Sequence, residues 1–133
     1  MSGAYIRVLV AVALGQVIVG LALRMMPPAA LRSRIARFRP FAHLMVGDTT
    51  PHDVVRAVEA VGRRLSAIST CLVRAFVAEL LLGSPARPLR LTIGVKQSAD
   101  GRLQSHAWVA DRDSVLIGAP CDGFVPIVEW STL

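Results

Sequence analysis

Two residues of this sequence carry side chains that could act together on an amide bond, Cys71 and His106. Cys71 begins the apolar run "CLVRAFVAELLL" and follows Ser69 and Thr70, either of which can cap a helix. At the first turn of a helix, unpaired N–H groups and the helix dipole stabilise a thiolate. His106 lies in the strand-like segment "SHAWV", and an imidazole within reach would take the thiol proton and pass it to a leaving amine. The spacing alone also fits a packed cysteine and a structural histidine.

The other histidines and the second cysteine fit this chemistry less well. His43 follows Pro40 in a predicted loop, and His52 falls in the exposed first turn of a predicted helix. The two cysteines and three histidines show no paired ligand spacing, so we expect neither a metal ion nor another cofactor. Cys121 is interpreted as a free thiol outside the mechanism. Two cysteines without a secretory cleavage pattern favour a reducing, cytoplasmic setting.

Two helices are predicted around Cys71. In "DTTPHDVVRAVEAVGRRL", Thr50 can cap a helix, Pro51 suits its first position, and valines recur at helical spacing. The run that starts at Cys71 is apolar on nearly all sides, which is typical of a central helix, and Gly83 ends it. We therefore expect two packed helices before the strands.

Three strands are predicted to carry and surround His106. The segments "LRLTIGVKQ" and "LQSHAWVA" have strand composition and are joined by an Asp-Gly turn. Residues 115–117 form the third predicted strand, and Ala110 is expected to pair with Val115 across the turn before it. Helices followed by an antiparallel sheet make the predicted fold class α+β.

The first 47 residues differ from the rest in charge and hydropathy. The chain has a net charge of +6, and this segment holds six of the 15 basic side chains and none of the nine acidic ones. Residues 8–23 are uncharged, although the run is shorter than the roughly 20 residues of a spanning helix. Residues 29–38 predict a short basic helix that Pro40 ends. We divide the chain into an apolar, arginine-rich helical segment, 1–47, and a core domain, 48–133.

Segment 1–47 predicts an interaction surface. A buried or partner-facing helix is the favoured interpretation of residues 8–23, with membrane contact through residues 8–39 as the alternative. Four arginines in "LRSRIARFR" could meet anionic lipid, an acidic peptide or nucleic acid. No recognition motif or interleaved aromatic residues accompany them, so we expect no nucleic-acid partner.

Four motifs in the second part of the chain carry a family resemblance when taken together: "STCLVRA", "LRLTIGV", "SHAWV" and "LIGAPCDGFVPIVEW". In this order they resemble the cysteine-protease protein of lasso-peptide biosynthesis, a branch of the transglutaminase-like, papain-related superfamily. The resemblance implies a leader peptidase, which cuts the leader from a ribosomally made precursor before a cyclase closes the macrolactam ring. By motif position, Cys71 is the nucleophile and His106 the general base and acid. Arg74 and Trp108 are assigned to substrate binding. The alternative for Arg74 is a salt-bridged or exposed residue, and the alternative for Trp108 is a residue that only packs beside the site.

The motifs lack an acid at the place where the third member of the catalytic group is expected. Many relatives have an acid on the strand after the His-Ala-Trp-Val motif, but Gly118 stands at that place here. Asp111 and Asp113 lie in the preceding turn, about 15 Å from His106 at the rise of a strand, and are poor candidates. Asp122 follows the strand near His106 and is the candidate third residue. A backbone carbonyl, a water molecule or a plain Cys-His pair are the alternatives.

The resemblance also implies partners. Some relatives carry an N-terminal leader-recognition domain, but segment 1–47 is too apolar and too basic to be one. We therefore expect three partners: the precursor peptide, a separate leader-recognition protein and the lasso cyclase. The expected location of the chain is the cytoplasm, at the inner face of the membrane if residues 8–39 touch lipid. Two other functions stay open. The chain could be a non-catalytic leader-binding scaffold, or an acyl transferase whose Cys-His pair uses an amine in place of water.

Overall fold

The computed structural model describes residues 3–112 and 114–132. The helices precede the strands along the chain, and the predicted α+β class is confirmed. The helices are α1 (Gly3–Ala22), α2 (Pro28–Ile35), α3 (Arg39–Val46), α4 (Pro51–Arg64) and α5 (Cys71–Leu82), with one 3₁₀ turn at Ala36–Phe38. The strands are β1 (Arg90–Gln97), β2 (Leu103–Asp111), β3 (Ser114–Ile117) and β4 (Val125–Ser131).

The first helix packs into the same core as the later ones. α1 contacts α3, α4 and α5, and Val8, Val12 and Val19 are buried along one side of it. The buried Gln16 side chain donates a hydrogen bond of 2.9 Å from Nε2 to the carbonyl oxygen of Val58 on α4. Segment 1–47 therefore shares one hydrophobic core with the rest of the chain. The domain boundary after residue 47 stays a prediction.

The helical region around Pro40 differs from the prediction. Pro40 was expected to end the second helix, but it occupies the first turn of α3, and His43 lies half-buried on this helix instead of in a loop. A proline is tolerated in the first turn because the N–H groups there have no intrahelical acceptor. The helical structure therefore continues, through the 3₁₀ turn, up to Val46.

Local capping determines where α4 and α5 begin, as the sequence predicted. Thr50 Oγ1 accepts a hydrogen bond of 3.3 Å from the Asp53 N–H at the start of α4. Thr70 Oγ1 does the same with the Val73 N–H at the start of α5, also at 3.3 Å. Such a cap stabilises a helix start by about 1 kcal/mol. It makes Cys71 the first helical residue of α5.

The sheet has the strand order β3-β2-β1-β4, and the neighbouring strands pair antiparallel. The predicted pairing of Ala110 with Val115 is confirmed. The fourth strand, β4, was not predicted, because Pro126 lies within it and proline cannot donate to a sheet ladder. β4 tolerates this proline because it is an edge strand that pairs only with β1.

The turn between β1 and β2 confirms the predicted Asp-Gly turn. Gly101 has a φ of +85°, and its N–H donates to the Ser98 carbonyl at 2.9 Å. The Asp100 carboxylate accepts hydrogen bonds from the Ser98 hydroxyl and from the Arg102 N–H. These bonds hold the pKa of Asp100 below its usual value.

A buried ion pair joins α3 to the C-terminal end of α5. Arg39 donates from Nη2 to both carboxylate oxygens of Glu79, at 2.9 and 3.0 Å, and from Nη1 to the carbonyls of Glu79 and Gly83, at 2.7 and 2.9 Å. The Thr132 hydroxyl also donates to Glu79, at 2.7 Å. The Glu79 side chain is 2% exposed, so the pair is structural.

The arginine-rich segment is therefore less available to partners than the sequence suggested. The Arg39 guanidinium is bonded to Glu79 in the ion pair. Arg32 donates to the Ser131 carbonyl, and its guanidinium lies 5.7 Å from the centre of the Trp130 ring. Arg34 and Arg37 are the two arginines of "LRSRIARFR" that are exposed.

Candidate active site

Cys71 and His106 line the same cavity. It has a volume of about 160 Å³ and lies where the start of α5 meets β2 and the chain after β3. Its walls are Glu59, Cys71, Arg74, His106, Ala107, Ile117, Gly118 and Ala119. Both Cys71 and His106 are half-buried. Among the hydrogen bonds of the described residues none joins the thiol to the imidazole, which is common in catalytic sites without substrate.

A backbone carbonyl orients the His106 ring. His106 Nε2 is hydrogen-bonded to the carbonyl oxygen of Gly118, the residue that follows β3. A carbonyl oxygen can only accept, so Nε2 carries the proton of the neutral ring. The other nitrogen, Nδ1, then has the free lone pair. This is the tautomer that a general base needs if Nδ1 faces the thiol.

Glycine at position 118 is required by the backbone and by its neighbours. Gly118 has a φ of +96°, which L side chains rarely adopt. A Cβ at this position would lie 2.6 Å from the carbonyl oxygen of Ala107 and 2.9 Å from the Cα of Trp108. The acid expected here therefore has no room, and the Gly118 carbonyl occupies its place beside the histidine.

Neither of the two described aspartates considered as third residue, Asp122 and Asp111, is hydrogen-bonded to His106. Asp122 is exposed in the turn before β4, and the hydrogen bonds described in residues 3–112 and 114–132 do not connect it to the ring. Asp111 accepts a hydrogen bond of 3.2 Å from Arg87. Asp113 lies outside the described residues. The assignment of Asp122 stays a prediction, and the contact to Gly118 favours the alternative of a backbone carbonyl.

Arg74 lies against α4 on the wall of the cavity. Its Nε donates a hydrogen bond of 3.1 Å to the Ser69 hydroxyl. The side chain passes directly over Gly62, where a Cβ would approach the Arg74 Nε to 2.5 Å. Gly62 thus leaves space for a guanidinium beside Cys71, and a cationic group is held at the start of α5.

Trp108 packs behind the histidine and does not line the cavity. It is 8% exposed and lies over Gly94 of β1, where a Cβ would come within 2.8 Å of the indole. The Trp108 and His106 rings are 6.0 Å apart, and Phe124 lies 5.2 Å from His106 on another side. The geometry favours the packing alternative for Trp108, and its role in substrate binding stays a prediction.

Two residues that lie beside the site were not predicted from the sequence. Glu59 on α4 lines the cavity, and Phe124 contacts the His106 ring. The sequence gave only a weak indication that Glu59 lies beside the site: Glu59 and Gly62 are three residues apart and so share one face of α4. Phe124 gave none, since six loop residues separate it from β3. In the part of the chain that the structure describes, no group of three or more His, Cys, Asp or Glu side chains is placed to hold a metal ion.

Comparison with known families agrees with this architecture. The model of the family described as the transglutaminase-like superfamily matches residues 9–129, from α1 into β4. No curated protein and no solved structure shows a significant match to the chain. The match establishes the superfamily and not the lasso-peptide branch. This chain belongs to the transglutaminase-like superfamily, whose members are mostly thiol enzymes.

Proposed function

We propose that this chain is a cysteine endopeptidase that removes the leader from a ribosomally synthesised lasso-peptide precursor before the macrolactam ring forms. One observation carries the chemistry: Cys71 at the start of α5 and His106, held by the Gly118 carbonyl, line one cavity. Membership of a superfamily whose members are mostly thiol enzymes supports a thiol mechanism. The four motifs around these residues support a leader peptide as the substrate.

The proposed reaction uses both ring nitrogens of His106. Nδ1 takes the Cys71 proton, and the thiolate attacks the carbonyl carbon of the scissile bond. The protonated ring then gives this proton to the leaving amine as the C–N bond breaks. Water, deprotonated by Nδ1, hydrolyses the thioester and restores the thiol. Through these steps the Nε2–H stays bonded to the Gly118 carbonyl, so the ring keeps its orientation.

The start of α5 supplies groups for the negatively charged intermediate. Thr70 already accepts the N–H groups of Val73 and Arg74 through its hydroxyl and its carbonyl. The N–H of Cys71, at the positive end of the helix, is left to donate to the oxyanion. Within the described residues Arg74 bonds to Ser69 through Nε and Nη2, so its Nη1 is left to bind a substrate carbonyl.

The size of the cavity fits a flexible peptide. The volume of about 160 Å³ is below the range of about 300–1,000 Å³ that is typical of small-molecule pockets. It offers room for a short part of an extended peptide. The bond between leader and core would enter as an extended segment, with the Glu59 carboxylate and the Arg74 guanidinium as polar contacts on the cavity wall. Affinity for the leader would come from the separate recognition protein.

Mass spectrometry of a lasso precursor peptide, incubated with this protein and the leader-recognition protein, tests the proposal. Wild type is expected to release the leader at a single bond. Cys71→Ala is expected to lower this rate at least 10⁴-fold, because removal of a nucleophile leaves only binding and oxyanion contacts. Cys121→Ala is the matched control, since Cys121 is the other half-buried thiol and lies outside the cavity.

The products separate the three functions. Hydrolysis adds one water across the cleaved bond, whereas acyl transfer joins the acyl fragment to an amine and gives a new amide mass. A scaffold leaves the precursor intact in wild type and variant while still binding it. An intact precursor with all partners present, or equal cleavage by Cys71→Ala, would contradict the proposed peptidase.

A further inference from the structure

One side of α1 exposes a continuous apolar stripe. The large side chains at every fourth or third position are 47–60% exposed, although the opposite side of the helix is buried in the core. From the first to the last of them the stripe runs about 22 Å at the rise of a helix. Its members are Ile6, Val10, Leu14, Ile18 and Leu21.

The stripe continues onto the neighbouring helices. On the α3 side, an apolar groove of about 310 Å³ separates α1 from α3 and α5 and is bordered by Phe38 and Phe41, 62% and 63% exposed. On the α4 side, a second, shallower apolar groove lies between α1 and α4. A soluble monomer seldom exposes so large a contiguous apolar surface without a binding function.

The charge around this face has one sign. Arg7 and Arg24 lie near the two ends of the stripe, and Arg34 and Arg37 shortly precede the exposed Phe38 in the chain; all four are exposed. The first 47 residues contain no acidic side chain. An apolar helix face with an arginine border is the pattern of a helix that lies in the interface of an anionic bilayer.

We propose that α1, together with Phe38 and Phe41 of the adjoining helices, docks this protein onto the surface of an anionic lipid bilayer. α1 is long and apolar enough to cross a membrane. Its other side, however, is packed against the core, and Gln16 is bonded to Val58 there. Crossing would break this packing, whereas lying in the interface buries only the exposed stripe by about 5–10 Å.

The proposed docking surface does not use the residues of the candidate active site. The residues that line the cavity at Cys71 and those that line the two apolar grooves do not overlap. The inference does not depend on the proposed peptidase activity, because lipid binding is measured without a peptide substrate.

Flotation of the full chain with lipid vesicles tests the inference. We expect binding to phosphatidylglycerol vesicles and much weaker binding to phosphatidylcholine vesicles. Leu14→Glu, which puts a charge in the centre of the stripe, should lower binding at least 30-fold. Ile127→Glu on β4 is the matched control, because Leu14 and Ile127 are 58% and 59% exposed; it should bind like wild type.

A second pair of variants removes charge without touching the apolar face. Arg34→Gln with Arg37→Gln should weaken binding to phosphatidylglycerol vesicles by about 30-fold, near fivefold for each arginine, and binding to phosphatidylcholine hardly at all. Arg102→Gln with Arg112→Gln, in the sheet turns, should have little effect. Circular dichroism checks that each variant is folded.

Three results would overturn the inference. The first is equal vesicle binding by wild type and Leu14→Glu. The second is absence of vesicle binding together with self-association of wild type that Leu14→Glu abolishes, which would make the stripe a contact between two copies. The third is absence of vesicle binding together with tight binding of the purified leader-recognition protein that Leu14→Glu abolishes, which would make the stripe a protein interface.

Discussion

The two ends of α5 both hold arginine side chains, but the two sites differ in how completely their polar groups are paired. At the C-terminal end, Arg39 bonds to both oxygens of Glu79 and to backbone carbonyls, and Thr132 adds a further bond. At the N-terminal end, Arg74 bonds only to Ser69 among the described residues, and the Cys71 thiol is not bonded to His106. The polar groups of the first site are bonded to one another, whereas the second keeps donors that are unpaired among the described residues, beside the cavity that Cys71 and His106 line.

The difference indicates that the C-terminal end of α5 has a structural role, whereas its N-terminal end is suited to chemistry. Buried polar groups with complete partners stabilise a fold, and removal of one partner leaves a costly unpaired group. Groups with free donors or lone pairs beside a cavity can instead be satisfied by a substrate. Whether an arginine near a candidate site can bind substrate therefore depends on its N–H groups that have no partner in the protein, and not on its charge alone.

Replacement of each arginine by glutamine should give opposite results. Arg39→Gln leaves the Glu79 carboxylate buried without its partner and should lower the free energy of unfolding by about 3–5 kcal/mol. Arg74→Gln should cost about 1 kcal/mol of stability and raise KM for the precursor about tenfold. Denaturant unfolding and cleavage kinetics per folded molecule measure the two effects. If Arg39→Gln changed KM while Arg74→Gln lowered mainly stability, the distinction between the two ends of α5 would be wrong.

Substitution of Gly118 should act mainly on catalysis, at the N-terminal end of α5. Gly118→Ala forces a Cβ against the Ala107 carbonyl and moves the carbonyl that holds His106, so kcat/KM should fall about 100-fold. Gly101→Ala is the matched control, because Gly101 also has a positive φ but no atom within 4 Å of its Cβ position. Both variants should lose about 1–2 kcal/mol of stability from the backbone strain, and Gly118→Ala should lose more because its Cβ also meets the Ala107 carbonyl.

Nitrogen NMR of the His106 ring gives an independent measure. The proton is expected on Nε2 in wild type and in Gly101→Ala, and its position should become mixed in Gly118→Ala. An Nδ1 proton in wild type would contradict the role of the Gly118 carbonyl.

Features that depend on neighbours in sequence were predictable. The start of α5 at Cys71 follows from the hydroxyl of Thr70, one residue before it. The pairing of Ala110 with Val115 follows from the short turn between them. Both place the candidate nucleophile and base on the correct elements, because capping and tight turns are local.

Features that depend on distant contacts were not predictable. Pro40 and Pro126 are compatible with a helix start and an edge strand, but only the tertiary structure shows that they occupy these positions. Arg39 finds Glu79 forty residues later. The Gly118 carbonyl has no sequence signal, since every residue has a carbonyl; only the absence of an acid at that place suggested a substitute.

The central claim is that His106 activates Cys71, and selective alkylation tests it without a substrate. An ordinary thiol is ionised to only a few per cent at pH 7, so iodoacetamide labels it slowly. We expect iodoacetamide to label Cys71 at least about tenfold faster than Cys121 in the same molecule, as measured by peptide mass spectrometry. In His106→Ala the labelling rate of Cys71 should fall to that of Cys121. Equal labelling of the two thiols in wild type, or a Cys71 rate that His106→Ala leaves unchanged, would contradict the account.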